Sequence, residues 1–102
     1  MSLDFHPLAF KEIEKAVAWY ERKAGLGGAL LNRLEATLRA VQAAPGSYPM
    51  HPADSRSRRA LVERFPYAIV FTVVAQRVFV VAVAHTRRRP AYWRRRRAKV
   101  LP

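Results

Sequence analysis

The segment from Val78 to Arg97 joins a short apolar run to the residue types best suited to act on a polyanion. His85 closes the apolar run, and seven arginines and two aromatic residues follow it: Arg87, Arg88, Arg89, Tyr92, Trp93, Arg94, Arg95, Arg96 and Arg97. Guanidinium groups can stabilise charge that develops on a phosphate, while an imidazole or a phenol can transfer protons. This spacing is compatible with metal-free cleavage of a phosphodiester, and equally with binding of a polyanion without any reaction.

Each of these side chains also has a structural interpretation. His85 could act as a base, because neighbouring cations favour the neutral imidazole, or it could simply bond the loop backbone. Tyr92 and Trp93 could stack on bases, or they could fold back onto the sheet and cover the core. The run from Arg94 to Arg97 is typical of a solvent-exposed charged segment. Three further arginines could extend the basic surface across the sheet: Arg58, Arg59 and Arg64.

No other motif for catalysis or cofactor binding is present in the sequence. The chain has no cysteine, no glycine loop that would cradle a phosphate and no nucleophile elbow. His6 and His51 are distant from His85 in sequence, and the histidines lack paired carboxylates at the spacing of metal ligands. We therefore expect neither a metal nor a cofactor.

The charge is concentrated in one half of the chain. Of the net charge of +12, residues 1–51 supply +1, from six basic and five acidic side chains, and residues 52–102 supply +11, from thirteen basic and two acidic ones. A one-sided field of this kind attracts polyanions, which include DNA, RNA, acidic protein surfaces and anionic lipid. Arginine outnumbers lysine, which favours bidentate or stacked contacts, although a high-GC genome would produce the same bias.

The length of 102 residues predicts one domain that covers residues 1–102. The N-terminus has no basic segment followed by an apolar one, so we expect no signal peptide. The apolar run at residues 78–84 is too short to span a bilayer, which needs roughly 20 residues. We expect a cytoplasmic protein.

The pattern of apolar residues predicts an α+β fold that would position these side chains. It indicates a short N-terminal strand at residues 3–5, helices at about 8–24 and 28–43, and strands at 58–65, 68–75 and 78–85. The glycines at 25, 27 and 28 indicate an antiparallel helical hairpin, packed on one face of an antiparallel sheet. We expect a loop at 46–57 and a short basic tail or helix at 91–99 with its charges in solvent. Trp19 could be an exposed anchor, but its size in a small domain favours a place in the core.

Several short segments along the chain form a recognisable set. They are Phe5-His6-Pro7 with Ala9, Ala18-Trp19-Tyr20, Gly25-Leu26-Gly27, Pro45 with Tyr48-Pro49, Arg58-Arg59, Phe65-Pro66-Tyr67-Ala68-Ile69, and His85-Thr86-Arg87-Arg88-Arg89-Pro90 with Tyr92-Trp93. In this order, and over nearly the whole length, they resemble the RelE/ParE superfamily of toxins from bacterial type II toxin–antitoxin systems.

The resemblance implies a small toxin that a cognate antitoxin holds inactive by wrapping it with a helix and an added strand. ParE-like members are expected to poison DNA gyrase by binding it, whereas RelE-like members are expected to cut mRNA in the ribosomal A site. Nuclease-type members carry an arginine where this chain has Ala68, which disfavours cleavage. Arg88 and Tyr92, however, match an arginine and a tyrosine of the nuclease type.

Three functional hypotheses follow from these observations. The first is inhibition of gyrase through a binding surface formed by Arg58, Arg59, Arg64, Arg87, Arg88, Arg89, Tyr92 and Trp93. The second is ribosome-dependent cleavage of mRNA, with His85, Arg88 and Tyr92 as the catalytic residues. The third is a non-toxic basic module that binds nucleic acid or an acidic protein. We expect the antitoxin segment that faces residues 58–64 and 85–97 to be acidic.

Overall fold

The structure is a computed structural model that describes residues 1–98. The side chains of Arg97 and Ala98 and the end of the helix predicted to reach residue 99 lie outside that description. The elements are β1 (Ser2–Phe5), α1 (Pro7–Ala24), α2 (Gly27–Ala43), β2 (Met50–His51), β3 (Asp54–Leu61), β4 (Tyr67–Val74), β5 (Arg77–His85) and α3 (Arg94–Ala98), with a 3-10 turn at Pro45–Ser47. The sheet has the order β1-β5-β4-β3-β2, and β1 is parallel to β5 while the other pairs are antiparallel. The predicted α+β fold is confirmed.

The helical hairpin forms because the sequence caps α1 at both ends. The ring of His6 accepts a hydrogen bond from the backbone N–H of Leu8 at 3.1 Å, and a proline occupies the first helical position. Gly25 ends the helix at φ 67°, in the left-handed region that glycine adopts without strain. Gly27 begins α2 so close to α1 that a Cβ there would lie 2.8 Å from the carbonyl oxygen of Val17. The link therefore sets both the turn and the close packing of the two helices.

Two apolar clusters lie on opposite faces of the sheet. The larger one joins both helices to the sheet and contains Ala9, Ala16, Leu30, Leu34, Leu38, Val41, Ala60, Val62, Ile69, Phe71, Val78, Val80 and Val83. The smaller one consists of Val70, Val81, Ala82 and Trp93. The prediction that β5 is buried on both faces is confirmed, because the C-terminal segment covers the face that the helices leave open. Trp93 is 1% exposed and forms part of this cover.

The strand β5 contains a bulge. Val80 pairs with Phe71 and Ala82 pairs with Val70, so Val81 is an extra residue without a partner across β4. The bulge changes the alternation of the strand: Val80 faces the helices, as does Val83, whereas the two residues between them face the C-terminal segment. The bulge therefore decides which side of the sheet the end of β5 presents.

Residues 46–57, which were expected to form a loop, contain β2 and the start of β3. Polar groups within the segment satisfy one another: the Asp54 carboxylate accepts hydrogen bonds from the Ser57 hydroxyl at 2.9 Å and from the Arg56 backbone N–H at 3.1 Å. The segment therefore enters the sheet although it carries few apolar residues. β3 ends before residue 65, and Arg64 lies at φ 73°, a turn conformation that a strand does not adopt.

The prediction that Trp19 belongs to the core is wrong. Its side chain is 47% exposed, and its ring packs edge-on against Tyr20 with 4.9 Å between the ring centroids. Ala9, Ala16 and Tyr20 occupy the inward face of α1 at helical spacing, so Trp19 falls on its flank. None of the helices within residues 1–98 is both long enough and apolar enough to cross a lipid bilayer.

The turn between β4 and β5 offers a test of local strain. Ala75 lies at φ 55°, where a Cβ costs roughly 1 kcal/mol. Ala75→Gly should therefore raise the free energy of unfolding by about 0.5–1 kcal/mol, measured by denaturant titration. Ala36→Gly, the same change within α2, should lower it by about 1 kcal/mol. Equal effects of the two changes would contradict this assignment of strain.

Candidate functional site at the basic end of the sheet

A cavity of about 100 Å³ lies where β4 and β5 meet the C-terminal segment. We name it the basic cavity, because its polar lining residues include His51, Arg59, His85, Arg88 and Arg89, along with Thr86 and Tyr92. Ala68 and Trp93 contribute to its walls. The pairing of the strands places these groups together, because Tyr67 lies opposite His85 and Ala68 lies opposite Ala84. The cavity collects guanidinium and imidazole groups from β2, β3, β5 and the loop after β5.

His51 belongs to this site, although the sequence analysis set it apart from His85. Its pairing with β3 brings its ring edge-on against Trp93, with 5.0 Å between the centroids. Its Nδ1 accepts a hydrogen bond from the backbone N–H of Ala53 at 3.0 Å. Burial lowers the pKa of His51, as do the charges of Arg59 and Arg94, against an opposing effect of Asp54. His51 is therefore a neutral imidazole whose proton lies on Nε2.

His85 is held in a similar way at the end of β5. Its Nδ1 accepts a hydrogen bond from the backbone N–H of Arg87 at 3.1 Å, and its ring lies 5.3 Å from that of Tyr67 in an edge-on arrangement. A neutral imidazole with an occupied Nδ1 carries its proton on Nε2, so it offers a donor rather than a lone pair. This hydrogen bond to the loop backbone is the contact expected if His85 has a structural role.

A buried carboxylate organises the C-terminal side of the site. Glu12 of α1 accepts hydrogen bonds from the Tyr92 hydroxyl at 2.6 Å, from Arg96 at 2.9 and 3.2 Å, and from the Val83 backbone N–H at 3.0 Å. Arg88 places its Nη1 at 3.5 Å from the same carboxylate. We name Glu12, Arg88, Tyr92 and Arg96 the Glu12 cluster. The side chains of Glu12 and Arg96 are each only 13% exposed, so these two form a largely buried ion pair, whereas the side chain of Arg88 is 55% exposed.

The Glu12 cluster also completes the edge of the sheet. β1 ends opposite Val80, and beyond that point no described strand lies on the free edge of β5. There Glu12 accepts from the N–H of Val83, and Arg96 donates to the carbonyl of Val81 at 3.3 Å. The carboxylate of Glu12 and the guanidinium of Arg96 thus supply the hydrogen bonds that these backbone groups would otherwise make with an adjacent strand. The prediction that the arginines of the C-terminal helix lie in solvent is therefore wrong for Arg96.

Arg88 and Tyr92, the two residues that match the nuclease type, both belong to the Glu12 cluster. The phenol of Tyr92 donates to Glu12, and the guanidinium carbon of Arg88 lies 3.7 Å from the centroid of the Tyr92 ring. Burial raises the pKa of Tyr92, and the hydrogen bond to Glu12 raises it further. Tyr92 therefore keeps its proton at neutral pH, and that proton is directed to a carboxylate of the protein itself.

A pH titration should detect this state of Tyr92. The folded pKa lies above the ordinary value of about 10, so the unfolded chain loses the proton first. The stabilisation is fully present below about pH 10 and is lost as the pH rises through the folded pKa. The free energy of unfolding should thus fall above about pH 10, and Tyr92→Phe should reduce the steepness of that fall. An unchanged slope in Tyr92→Phe would contradict the shift.

The structure brings together only some of the predicted site residues. Those that line the basic cavity are Arg59, His85, Arg88, Arg89 and Tyr92, and the exposed Arg87 follows His85 directly. Trp93 reaches the cavity but is buried, so it offers no free face for stacking. Arg58 donates to the carbonyl of Tyr48 instead, and Arg64 lines a separate cleft near the helical hairpin. Within residues 1–98, no group of three histidine, cysteine, aspartate or glutamate side chains could hold a metal ion.

Glu12 is a second residue of the candidate site, after His51, that sequence reasoning missed. A charged residue of an amphipathic helix is ordinarily expected on its solvent-facing side. Its position, three residues after Ala9 and four before Ala16, places it on the buried face of α1. A carboxylate on the buried face of a helix, in a chain with net charge +12, indicates an internal ion pair.

The arrangement of a helical hairpin on a five-stranded sheet is shared with two solved structures. The structure superimposes on a chain of the chromosomal ParDE toxin–antitoxin system from P. aeruginosa with a TM-score of 0.74 and 16% identity, over 83% of this chain and 95% of that one. It superimposes on the isolated RelE toxin of E. coli with a TM-score of 0.63 and 22% identity, over 98% of each chain. At these identities the superpositions establish the fold.

The family is established by the sequence itself. Residues 3–90 match the family described as the ParE toxin of the type II toxin–antitoxin system parDE, and the chain belongs to this family. The resemblance to the RelE/ParE superfamily is confirmed. No curated protein sequence is similar enough to count as a relative. The protein is a ParE-type toxin, and membership of this family implies a cognate antitoxin as its partner.

Proposed function

We propose that this toxin, as a single domain over residues 1–102, stops growth by binding DNA gyrase in the cytoplasm. Gyrase is the target expected of ParE-like members of the superfamily. The proposed contact surface consists of three arginines that line the basic cavity, Arg59, Arg88 and Arg89, and of the exposed Arg87 beside them, and it is narrower than the set expected from the sequence. In this proposal the toxin binds its target and performs no bond cleavage.

The state of Tyr92 carries the proposal. A residue that transfers protons needs a free lone pair or a releasable proton, with a pKa near the operating pH. The Tyr92 hydroxyl lies 2.6 Å from Glu12, and its pKa is raised. The Nδ1 atom of His85 is occupied by the N–H of Arg87. Neither side chain is poised as a base, and a binding function requires neither of them to be one.

The position of Ala68 supports the same conclusion. Ala68 lies on β4 and is 5% exposed at the wall of the basic cavity. The resemblance places an arginine at this position in nuclease-type members. An alanine there supplies no charge to stabilise a developing phosphorane, which removes one of the electrostatic contributions on which metal-free cleavage depends.

Two variants and two measurements test the proposal. His85→Ala and Tyr92→Phe should still stop growth when expressed without antitoxin, and each purified variant should inhibit supercoiling by gyrase within about threefold of the unchanged protein. Mapping of 5′ ends after induction should show no new ends inside translated codons. Binding of the antitoxin to each variant confirms that it is folded. Gyrase that remains fully active at saturating toxin would overturn the proposal.

Ribosome-dependent cleavage of mRNA is the second candidate, and the basic cavity favours it. Arg59, Arg88 and Arg89 converge there with the Nε2–H groups of His51 and His85, which are donors suited to a charged phosphate. New 5′ ends inside codons, lost in both His85→Ala and Tyr92→Phe, would establish this function in place of gyrase inhibition.

The proposed antitoxin interface has a testable dependence on salt. We propose that the antitoxin presents an acidic segment to residues 58–64 and 85–97. The dissociation constant of the complex should then rise at least about tenfold between about 0.1 and 0.5 M sodium chloride, because salt screens exposed charge pairs. A dissociation constant unchanged over this range would indicate an apolar interface along the helices.

A further inference from the structure

A second cleft, separate from the basic cavity, lies between α1 and the end of the β4–β5 pair. It has a volume of about 320 Å³, within the range of small-molecule sites, which begins near 300 Å³. Its lining residues are Lys15, Ala16, Trp19, Tyr20, Tyr67 and His85. We name it the aromatic cleft.

The rings of the aromatic cleft support one another. The centroid of Trp19 lies 4.9 Å from that of Tyr20, Tyr20 lies 6.3 Å from Tyr67, and Tyr67 lies 5.3 Å from His85, all in edge-on arrangements. Trp19 nevertheless remains 47% exposed. An indole that its neighbour fixes and that is half open to solvent can stack on a planar ligand at little cost in conformational entropy.

The polar groups of the aromatic cleft are suited to a ligand that accepts hydrogen bonds. Lys15 supplies an ammonium group, and Tyr67 remains a neutral phenol because burial and the nearby Tyr20 raise its pKa. The bond from Arg87 to Nδ1 of His85 leaves Nε2–H as the second polar group of that ring. None of the six lining residues carries a carboxylate.

His85 lines both the basic cavity, on the face covered by the C-terminal segment, and the aromatic cleft, on the helical face, so the two sites meet at this end of the sheet. A ligand with a flat ring next to an anionic group would place the ring beside Trp19 and the anion among Arg59, Arg88 and Arg89. We propose that the aromatic cleft binds an unpaired nucleobase of single-stranded nucleic acid while the adjacent phosphate occupies the basic cavity. Base stacking next to a cationic groove is the usual means of binding single strands without sequence preference.

This inference is independent of whether gyrase or the ribosome is the target. An aromatic anchor from a partner protein could also stack on Trp19, since exposed tryptophans are common at interfaces. The cationic surroundings and the shared wall with the basic cavity favour a nucleotide, because each nucleotide repeats a ring beside a phosphate. The experiment separates the two occupants.

The test compares oligomers with and without bases. A fluorescein-labelled thymidine pentamer and an abasic pentamer of equal charge are titrated with the full-length toxin and followed by anisotropy. The thymidine pentamer should bind roughly tenfold more tightly, given the usual contribution of one stacked base. It should also quench tryptophan emission, because Trp19 is the exposed one of the two tryptophans and Trp93 is 1% exposed. A uridine pentamer distinguishes RNA from DNA.

Substitutions in α1 show which side chain causes the preference for the base-bearing pentamer. Trp19→Ala should lose the preference for the base-bearing pentamer and retain affinity for the abasic one, while Trp19→Phe should retain part of the preference. Phe10→Ala removes another aromatic side chain of α1, 53% exposed and outside the cleft, and should change neither affinity. Equal affinity for both pentamers would overturn the proposal. Loss of toxicity in Trp19→Ala with unchanged affinities would also overturn it, because Trp19 would then be a protein contact.

Discussion

Replacing Glu12 with alanine should lower the free energy of unfolding by about 3 kcal/mol, as expected when one partner of a buried ion pair is removed. The change would leave Arg96, 13% exposed, without its bidentate partner, and would free the Tyr92 hydroxyl and the N–H of Val83. Small domains have about 5–15 kcal/mol in total, so this is a large share of the stability. Denaturant titration of the purified toxin measures it.

Two other substitutions serve as comparisons for the loss of stability in Glu12→Ala. Glu14→Ala removes an exposed carboxylate from the same helix and should change the free energy of unfolding by less than about 0.5 kcal/mol. Val83 and Tyr92 donate to different oxygens of Glu12, so Glu12→Gln keeps an acceptor for only one of them and removes the charge, and its effect should lie between the two. If Glu12→Ala matched Glu14→Ala, the Glu12 cluster would contribute little to stability, and another contact would have to hold the C-terminal segment.

If the toxin inhibits gyrase as proposed, reversing the charge of Arg89 should raise the toxin concentration that halves gyrase supercoiling by about tenfold or more. Arg89 is exposed at the rim of the basic cavity, so Arg89→Glu changes the field there without disturbing the core. A rim charge acts mainly through long-range attraction, and the effect should therefore shrink as salt is added. Inhibition assays at low and high ionic strength measure both quantities.

A charge reversal elsewhere on the surface distinguishes the effect of charge at the basic cavity from the effect of the net charge. Arg22→Glu, an exposed site on the last turn of α1 that does not line the basic cavity, changes the net charge equally and should leave inhibition within about twofold. Arg89→Gln should have a smaller effect than Arg89→Glu. Equal losses in Arg22→Glu and Arg89→Glu would mean that total charge, rather than the basic cavity, governs the proposed interaction with gyrase.

The parts of the fold that depend on local pattern could be predicted from the sequence. The helical hairpin followed from apolar spacing and the glycine turn, and the central strands followed from continuous apolar runs. The start of β3 was missed because Asp54 and Ser57 satisfy each other, so that a polar sequence is compatible with a strand. Periodicity alone does not report such pairing.

The candidate site could be predicted only in part, because tertiary contacts complete it. The basic residues around His85 are consecutive in the chain and could be found directly. His51 joins them through the sheet, and Tyr92 meets Glu12 across eighty positions of sequence. Trp93 had two interpretations, and only the face of the sheet left open by the helices decides between them. Glu12 was the exception, since its helical position already indicated burial.

The bulge at Val81 makes β5 tolerant of a change in length that its composition does not reveal. Deleting Val81 would leave the hydropathy of the strand almost unchanged. It would remove the extra residue, and the strand would then alternate regularly, with Ala84 still opposite Ala68 and His85 still opposite Tyr67. β4 has no extra residue opposite β5, so a one-residue deletion there would turn one part of that strand to the opposite face of the sheet. Among related genes, single-residue deletions should therefore be found in the middle of β5 more often than in β4.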